Sequence, residues 1–356
     1  MIRPRKALSP QSSEQSPAGE AVAAPRKKLK RIALKAATTI ISTVLAVSAL
    51  LGVDLYLHHK HGVNLWGYRG PAVGQKRPGE KRIAVLGGST TWGFGLSAGQ
   101  AFPGQLQRRL AERARTEGGP PISVLNLGFN NEGAYSFKYT LKDYDYLDYD
   151  EVVLYSGYND LNGENQIVLR HGSPIFIWTG YFPLLPALTA DKIRVWKNRL
   201  TNGNRPVVFT PPAKESDAGE QTPGSLQKQL GSLSDSGRFE PGSSQVTCPP
   251  EWLVYCREIY DVTDLEIKRG KRVLVVTEPY ISDKHVEQQR ALEGMLSQRF
   301  AGQANFRYLN LGRAVDLRDH SLCWDGMHLT EEGNRRIAEA LTQPVLEMLG
   351  TTVLKP

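Results

Sequence analysis

The sequence has few cysteines and no arrangement of them that is typical of a metal site. Its 356 residues include three cysteines, Cys248, Cys256 and Cys323, and no two of them form a CxxC pair. The lack of a CxxC pair and of a cluster of His and Cys residues argues against a metal site. Cys248 and Cys256 are eight residues apart, so a disulfide between them in an oxidising compartment remains open, with Cys323 left over.

The chain beyond its first 35 residues also has little net charge. The whole protein carries a formal charge of +8, but residues 1–35 hold nine lysines and arginines against two acids. The remaining residues hold 35 basic and 34 acidic side chains. A folded domain that binds nucleic acid needs a basic face. The charge distribution therefore argues against nucleic acid as a partner and leaves the basic N-terminus to be explained locally.

Long apolar runs are scarce, with one exception that follows the basic N-terminus. Residues 36–53 form an eighteen-residue stretch without a charged side chain. A helix rises about 1.5 Å per residue, so this run spans about 27 Å, close to a thin hydrocarbon core. Basic residues before the run, and few directly after it, predict a cytoplasmic N-terminus. We therefore expect a single-pass anchor at 32–57 in a cell inner membrane, with the rest periplasmic or extracellular.

Two other interpretations of the apolar run remain open. It is either a cleaved signal peptide, with Val47-Ser48-Ala49 as a small-residue site, or a buried core helix. The basic region before it is unusually long for a signal peptide. Residues 1–31 are rich in Pro, Ser, Ala and charge, which predicts a disordered cytoplasmic tail. Residues 58–79 are expected to link the anchor to a folded domain at 80–350.

The rest of the chain alternates between predicted strands and predicted helices. Short apolar runs predict strands at 82–86, 122–127, 151–155, 272–277 and 306–311. Helical patterns lie at 105–115, 135–147, 251–269, 282–300 and from Thr330, a capping residue, to about Leu349. This alternation indicates an α/β domain with a central parallel sheet of about five strands, covered on both faces. Ligands of such sheets bind at the carboxyl ends of the strands.

Residues 163–250 interrupt this alternation. Eighteen of the forty residues 211–250 are Gly, Pro or Ser, which predicts a flexible insertion rather than a domain. The apolar stretch 174–188 before it is interrupted by prolines and is too broken to span a bilayer. Three roles remain open for this stretch: a loop packed on the core, a lid over an apolar substrate, or a hairpin that touches the membrane.

Short polar motifs follow the first three predicted strands. A GGST turn at 87–90 follows the first, and a serine on a tight turn at a strand end exposes its hydroxyl for nucleophilic attack. Gly128 follows the second strand, where glycine lets a backbone N–H approach a ligand closely. Asn159 follows the third strand, where its amide can donate to an oxyanion. Each motif alone also has a structural explanation, such as a helix start or an Asx turn.

A fourth motif lies just before the last predicted helix. Asp325 and His328 are three residues apart on one predicted loop. Such a carboxylate can bind one imidazole nitrogen and direct the other toward a serine. Because parallel strands bring their carboxyl ends to one edge, we expect Ser89, Gly128 and Asn159 to meet this pair there.

Taken together, these motifs resemble the sequence blocks of the SGNH (GDSL-like) hydrolase superfamily, which comprises esterases, lipases and acyl-sugar hydrolases. Ser89 matches the nucleophile of the first block, Gly128 the glycine of the second and Asn159 the asparagine of the third. Asp325 and His328 match the DxxH of the last block. The resemblance covers about residues 80–350 apart from the insertion, and it implies a flavodoxin-like, three-layer α/β/α fold.

The first block departs from the usual pattern of the family. Gly88 stands where the GDS form has aspartate, and GGS versions resemble a branch with membrane anchors. The exchange removes no member of a catalytic triad, although it affects how the turn is held. The substrate does not follow from it.

The resemblance also implies a mechanism, namely acyl transfer through a covalent intermediate. His328 takes the proton of Ser89, Ser89 attacks an ester carbonyl, and Asp325 orients His328. The N–H groups of Ser89 and Gly128 and the side chain of Asn159 hold the oxyanion. This chemistry requires no metal and no cofactor.

Three functions follow as hypotheses. The first is a membrane-anchored, extracytoplasmic serine esterase that hydrolyses acetyl or longer acyl esters of lipid or polysaccharide. The second is an O-acyltransferase that uses the same triad and a sugar hydroxyl as acceptor. The third is a non-catalytic envelope scaffold, against which the full set of motif residues argues.

The expected partners are an acyl-ester substrate and the membrane. Asp160 is expected to support its loop rather than react. The oligomeric state is not predicted.

Overall fold

A computed structural model of the protein describes residues 23–189, 192–193 and 248–350. The predicted tail up to residue 22, and residues 194–247 of the predicted insertion, lie outside this description. By its contacts the chain divides into two compact units, and the boundary along the sequence lies between Leu55 and Tyr56.

The described part of the first unit is helix α1, which runs as Ala23–His61 and so continues a few residues beyond the unit. From Lys28 to His61 this helix is long and apolar enough to cross a membrane. Only 6% of its most apolar eighteen-residue window is buried. This exposure favours a membrane anchor or a signal sequence over a buried core helix.

The second unit contains a five-stranded parallel sheet. The strands are β1 (Lys81–Gly87), β2 (Ile122–Asn126), β3 (Glu151–Ser156), β4 (Arg272–Thr277) and β5 (Phe306–Leu309). Their spatial order is β2-β1-β3-β4-β5, and every neighbouring pair is parallel. This is the flavodoxin-like order, in which the chain reverses direction across the sheet at β1 and β3. The predicted α/β fold with a central parallel sheet is confirmed.

Helices pack on both faces of this sheet. The described ones after α1 are α2 (Ser89–Trp92), α3 (Phe102–Glu117), α4 (Ala134–Asp143), α5 (Pro174–Thr179), α6 (Leu253–Lys268), α7 (Asp283–Arg299) and α8 (Glu331–Met348). Strand residues alternate between two apolar cores: Ala84 packs with α4, α6 and α7, whereas Ile83 packs with α3 and α8. The resulting α/β/α layering is the one expected from the continuous apolar strands.

The sequence predicted the start of one helix correctly and the end of another incorrectly. The Thr330 side chain caps α8 by accepting a hydrogen bond from the N–H of Gly333 at 3.2 Å, as predicted. The helix predicted at 135–147 is too long, because α4 ends at Asp143 and a separate 3₁₀ turn follows. Asp148, with φ of 48°, then ends that turn in the left-handed region.

The stretch expected as a linker, 58–79, contains side chains that are buried in the second unit. The N–H of Arg69 donates to the carbonyl of Asn126 at 3.1 Å, at the end of β2. The Arg69 guanidinium donates to the carbonyl oxygens of Trp92 and Gly93, which end α2. This stretch therefore supports the loops at the carboxyl edge of the sheet.

The described parts of the predicted insertion are packed as well. Arg170, Phe176, Phe182 and Leu184 are buried, so much of 163–189 belongs to the folded unit. At the other end, Cys248 forms a disulfide with Cys256 of α6, with the two Cα atoms 6.4 Å apart. Cys323 is a free, buried thiol.

Candidate active site

Ser89 is the first residue of α2, directly after β1 and the two glycines that close the strand. The turn is short because α2 is a single turn that ends at Gly93, whose φ is +80°. A Cβ at Gly87 would overlap the Thr91 side chain, and a Cβ at Gly88 would overlap the amide nitrogen of Asn159. The glycine that departs from the GDS pattern thus makes room for the asparagine of another predicted motif.

Ser89, His328 and Asp325 form a continuous chain of hydrogen bonds. The Oγ of Ser89 lies 2.9 Å from Nε2 of His328, and Nδ1 of His328 lies 2.7 Å from Oδ2 of Asp325. A carboxylate at Nδ1 favours a proton on that nitrogen, which leaves Nε2 to accept from the serine hydroxyl. The structure therefore brings together the three residues predicted as a triad, in the geometry of a nucleophile, a base and an orienting acid.

Asp325 is held by the backbone of its own loop. Its Oδ1 accepts from the N–H of His328 at 2.7 Å and from the N–H of Met327 at 3.0 Å. Partial burial raises the pKa of Asp325, but hydrogen bonds from the ring and backbone of His328 outweigh it and hold the pKa below its usual value. The carboxylate is therefore charged at neutral pH and can stabilise an imidazolium.

Gly128 and Asn159 lie at the same edge of the sheet and contact the Ser89 turn from two sides. A Cβ at Gly128 would come within 2.6 Å of the Thr91 methyl group, so this glycine packs directly on α2. The Asn159 amide is in contact with Gly88. The predicted glycine and asparagine therefore both lie beside the Ser89 turn.

Each of these two groups also has a partner within the protein. The N–H of Gly128 donates to Oδ1 of Asn126 at 3.1 Å. The Nδ2 of Asn159 donates to the carbonyl of Glu132 at 2.8 Å. A side-chain amide has two N–H bonds, so Asn159 keeps one for an incoming oxygen. The backbone of Gly128 has a single N–H, which is already used in the bond to Asn126.

Asp160 supports its surroundings and does not contact the triad. Its Oδ2 accepts from the N–H of Ala134 at 3.1 Å, at the start of α4. Burial raises the pKa of Asp160 to about 7, although this hydrogen bond lowers it. These contacts agree with the expectation that it holds a loop.

Sequence reasoning missed Glu278, which connects the turns that follow β1 and β3. It is the first residue after β4 and is almost completely buried. Its Oε1 accepts from the hydroxyl of Thr90, and its Oε2 accepts from the N–H of Tyr158 at 2.8 Å. Burial raises the pKa of Glu278 to about 8 against these hydrogen bonds. Its position directly after an apolar strand was the available signal, the same one that identified the other turns.

One half-exposed aromatic ring lies beside the imidazole, and a second belongs to the loop of Asp325. The ring of Phe94 lies 4.7 Å from that of His328, and Trp324 directly precedes Asp325. Gly95 lets the turn after α2 pack on Trp324, since a Cβ there would lie 2.7 Å from the indole. Among the described residues, no group of three His, Cys, Asp or Glu side chains is arranged to hold a metal ion.

Comparison with known proteins gave matches among solved structures alone. No family model matches the sequence, and no curated protein matches it. The Clostridium thermocellum family 3 carbohydrate esterase is 14% identical, with 77% of this chain and 99% of that one covered and a TM-score of 0.41. The lipase/acylhydrolase from Enterococcus faecalis is 14% identical, with coverages of 78% and 100% and a TM-score of 0.41. A member of the lipolytic protein G-D-S-L family from Veillonella parvula is 11% identical, with coverages of 74% and 97% and a TM-score of 0.40.

The buried carboxyl of Glu278 leads to a prediction about stability and pH. The pKa of Glu278 rises from 4.5 in the unfolded chain to about 8 on folding, so the folded protein binds this proton more tightly. Its contribution to stability is therefore complete below pH 4.5 and is lost as pH rises through about 8. In Glu278→Gln this contribution disappears, because the amide does not titrate.

The measurement is urea unfolding of the wild type and of Glu278→Gln at several pH values between 4.5 and 8. The difference between the two proteins isolates Glu278 from Asp160, which titrates in the same range. Identical pH slopes would contradict the prediction. Glu278→Ala serves as the disruptive control, because it leaves two buried donors without a partner, at a cost of about 1–3 kcal/mol each.

Proposed function

We propose that this chain is a serine esterase of the SGNH (GDSL-like) type, which hydrolyses acyl esters through a covalent acyl-enzyme on Ser89. The observation that carries the proposal is the hydrogen-bonded series from Ser89 through His328 to Asp325. The serine and the histidine of this series are 239 residues apart in the sequence. A pairing of this kind, at the ligand-binding edge of a parallel sheet, is what nucleophilic catalysis requires.

In the proposed reaction, Nε2 of His328 takes the hydroxyl proton of Ser89 while Oγ bonds to the ester carbonyl carbon. Asp325 stabilises the imidazolium that forms. The tetrahedral intermediate then expels the alcohol, which leaves with the proton from His328. Water attacks the acyl-enzyme with His328 again as base, and release of the acid restores the serine.

We propose that three N–H donors beside Ser89 bind the oxyanion. The N–H of Ser89 lies in the first turn of α2, where helical N–H groups have no intrahelical acceptor. The second N–H of the Asn159 amide is the next donor. The N–H of Gly128 is the third donor. Its hydrogen bond to the side-chain oxygen of Asn126 has to break before it can donate to the substrate oxygen. Asn126 thus holds the loop in place until substrate binds.

Hydrolysis is favoured over acyl transfer because the site is open to water. The Asp325 side chain is 46% exposed and that of His328 is 16% exposed. A transferase has to protect its acyl-enzyme from water, whereas a hydrolase does not. The half-exposed rings of Phe94 and Trp324 suit a substrate with an apolar surface, such as an acyl chain or the face of a sugar ring. Acyl esters of lipid and of polysaccharide both meet this condition.

We further propose that α1 anchors the enzyme in the inner membrane, with its N-terminus in the cytoplasm and the catalytic unit outside. The basic residues that precede the run 36–53 support this orientation. The Cys248–Cys256 disulfide supports an oxidising compartment for the catalytic unit.

The central test is labelling of the full chain, in detergent, with a fluorophosphonate. We expect one adduct on Ser89, identified by mass spectrometry, because His328 activates this hydroxyl. The adduct should be lost in His328→Ala. His171→Ala is a matched control, since Nδ1 of His171 also binds an aspartate, Asp143, at 2.9 Å. Labelling that survives in His328→Ala, or that falls on another serine, would refute the proposed mechanism.

A second prediction concerns the oxyanion donors. Asn159→Ala should lower kcat for p-nitrophenyl acetate by about 10²–10³, with a smaller effect on KM, because the donor acts mainly in the transition state. Asn165→Ala is the matched control, as the Asn165 amide also donates to a backbone carbonyl, that of Asn131, at 2.8 Å. Equal rates for the two variants would remove Asn159 from the catalytic machinery.

A further inference from the structure

A group of large apolar side chains is exposed on two neighbouring segments of the second unit. Trp178 is 87% exposed, and the others are between 46% and 50% exposed. The members of this apolar patch are Leu65, Trp66, Ile175, Ile177 and Trp178. Soluble proteins expose large apolar side chains singly, and a cluster of them marks an interaction surface.

The two segments of the apolar patch are in contact with each other. The ring of Trp66 lies over Gly180, where a Cβ would come within 2.9 Å of it. Gly180 ends α5, the helix that carries the other three side chains of the patch. The N–H of Phe182 donates to the carbonyl of Leu65 at 3.4 Å, and the hydroxyl of Tyr144 donates to the carbonyl of Trp66 at 2.6 Å. The patch is therefore one surface.

The inner side of α5 packs on the core, and this packing holds the outer side of the helix exposed. Phe176 is buried and packs edge-to-face on Phe182, with ring centroids 6.0 Å apart. It also packs on Tyr144 at 5.8 Å. Ser173 caps the helix by accepting from the N–H of Phe176. A helix held in this way presents Ile175, Ile177 and Trp178 outward as a rigid surface.

The apolar patch is tied to the last residues of α1. Within the second unit, Nε2 of His58 lies 3.0 Å from the carbonyl of Phe182, and the His58 ring stacks on Tyr181 at 5.4 Å. Trp66 follows the last residue of α1, His61, by five residues. Five residues span at most about 18 Å. The patch therefore stays close to the point where the proposed anchor would leave the bilayer.

We propose that the apolar patch docks on the lipid surface of the same membrane that α1 spans. This inference rests on the proposed anchor. Tryptophan is the side chain most typical of the membrane–water interface, because its ring is apolar and its N–H remains hydrated. The patch contains two tryptophans on a rigid support, and the exposed Tyr56 belongs to the adjoining end of α1. The surface thus matches an interfacial aromatic belt.

Docking of this surface would set the position of the catalytic edge relative to the lipid. Phe182 packs edge-to-face on Phe129 at 5.5 Å, and Phe129 packs on Trp92 at 4.8 Å. Phe129 directly follows Gly128, and Trp92 ends the helix that begins with Ser89. A series of aromatic contacts therefore joins the support of the apolar patch to the nucleophile turn. The proposed enzyme would act at a fixed height, on esters presented at or near the membrane surface.

The test uses the full chain reconstituted in lipid nanodiscs. Trp178→Cys is labelled with the environment-sensitive fluorophore NBD, and the discs contain lipids spin-labelled at the headgroup as quenchers. The introduced thiol is the accessible one, because Cys248 and Cys256 are bonded and Cys323 is buried. The matched control is Glu339→Cys on α8, an exposed site on the opposite face of the sheet.

We expect a blue shift and strong loss of NBD fluorescence at position 178, and neither at position 339. The double variant Ile175→Ser/Ile177→Ser, made in the labelled Trp178→Cys chain, should reduce the quenching at 178. Its buried neighbour Phe176 is left intact, so the fold is preserved. Quenching at 178 no greater than at 339, in chains that remain with the discs, would overturn the inference and would indicate a lid or a protein partner instead.

Two further measurements on the same samples separate this inference from the proposals on which it rests. Co-migration of the chain with the discs reports on the anchor, and its absence would overturn both the anchor and the docking surface. Hydrolysis of p-nitrophenyl acetate, a soluble ester, reports on the triad independently of the membrane. A chain that hydrolyses this ester in discs without quenching at 178 would keep the proposed esterase and lose the docking surface.

Discussion

Parallel pairing of β1 with both β2 and β3 is the constraint on which the candidate site depends. It brings the chain segments after all three strands to one edge of the sheet, where Ser89, Gly128 and Asn159 meet. His328, which lies 2.9 Å from the hydroxyl of Ser89, comes from a loop more than two hundred residues later in the sequence. The site is therefore a product of topology, and neither half of the chain contains it.

Two acidic side chains near this edge have different roles because their surroundings differ. Asp325 is partly exposed, and three hydrogen bonds from N–H groups favour its charged form. Glu278 is buried, and its raised pKa favours a neutral carboxyl that joins two turns. The exposed acid can stabilise charge on the imidazole, whereas the buried acid can fix geometry without adding charge beside the nucleophile.

The sequence was sufficient to predict the strands, the cap at Thr330 and the residues that surround Ser89, because each of these is a local pattern at a strand or helix end. It was not sufficient for Glu278, whose role depends on Thr90 and on the N–H of Tyr158, contacts far apart along the chain. The end of α4 was missed because the helical composition continues to Leu147, whereas the chain leaves the α-helix at Asp143 and forms a separate 3₁₀ turn. For 174–188 the sequence left packing on the core as one of three open roles, because the apolar residues of this stretch follow no regular period.

The contact between Gly88 and the Asn159 amide limits which residues can occupy position 88. Since the amide occupies the space that a side chain at position 88 would need, the two positions cannot change independently. An aspartate at position 88 of this chain would therefore displace the Asn159 amide, the group that we propose as an oxyanion donor.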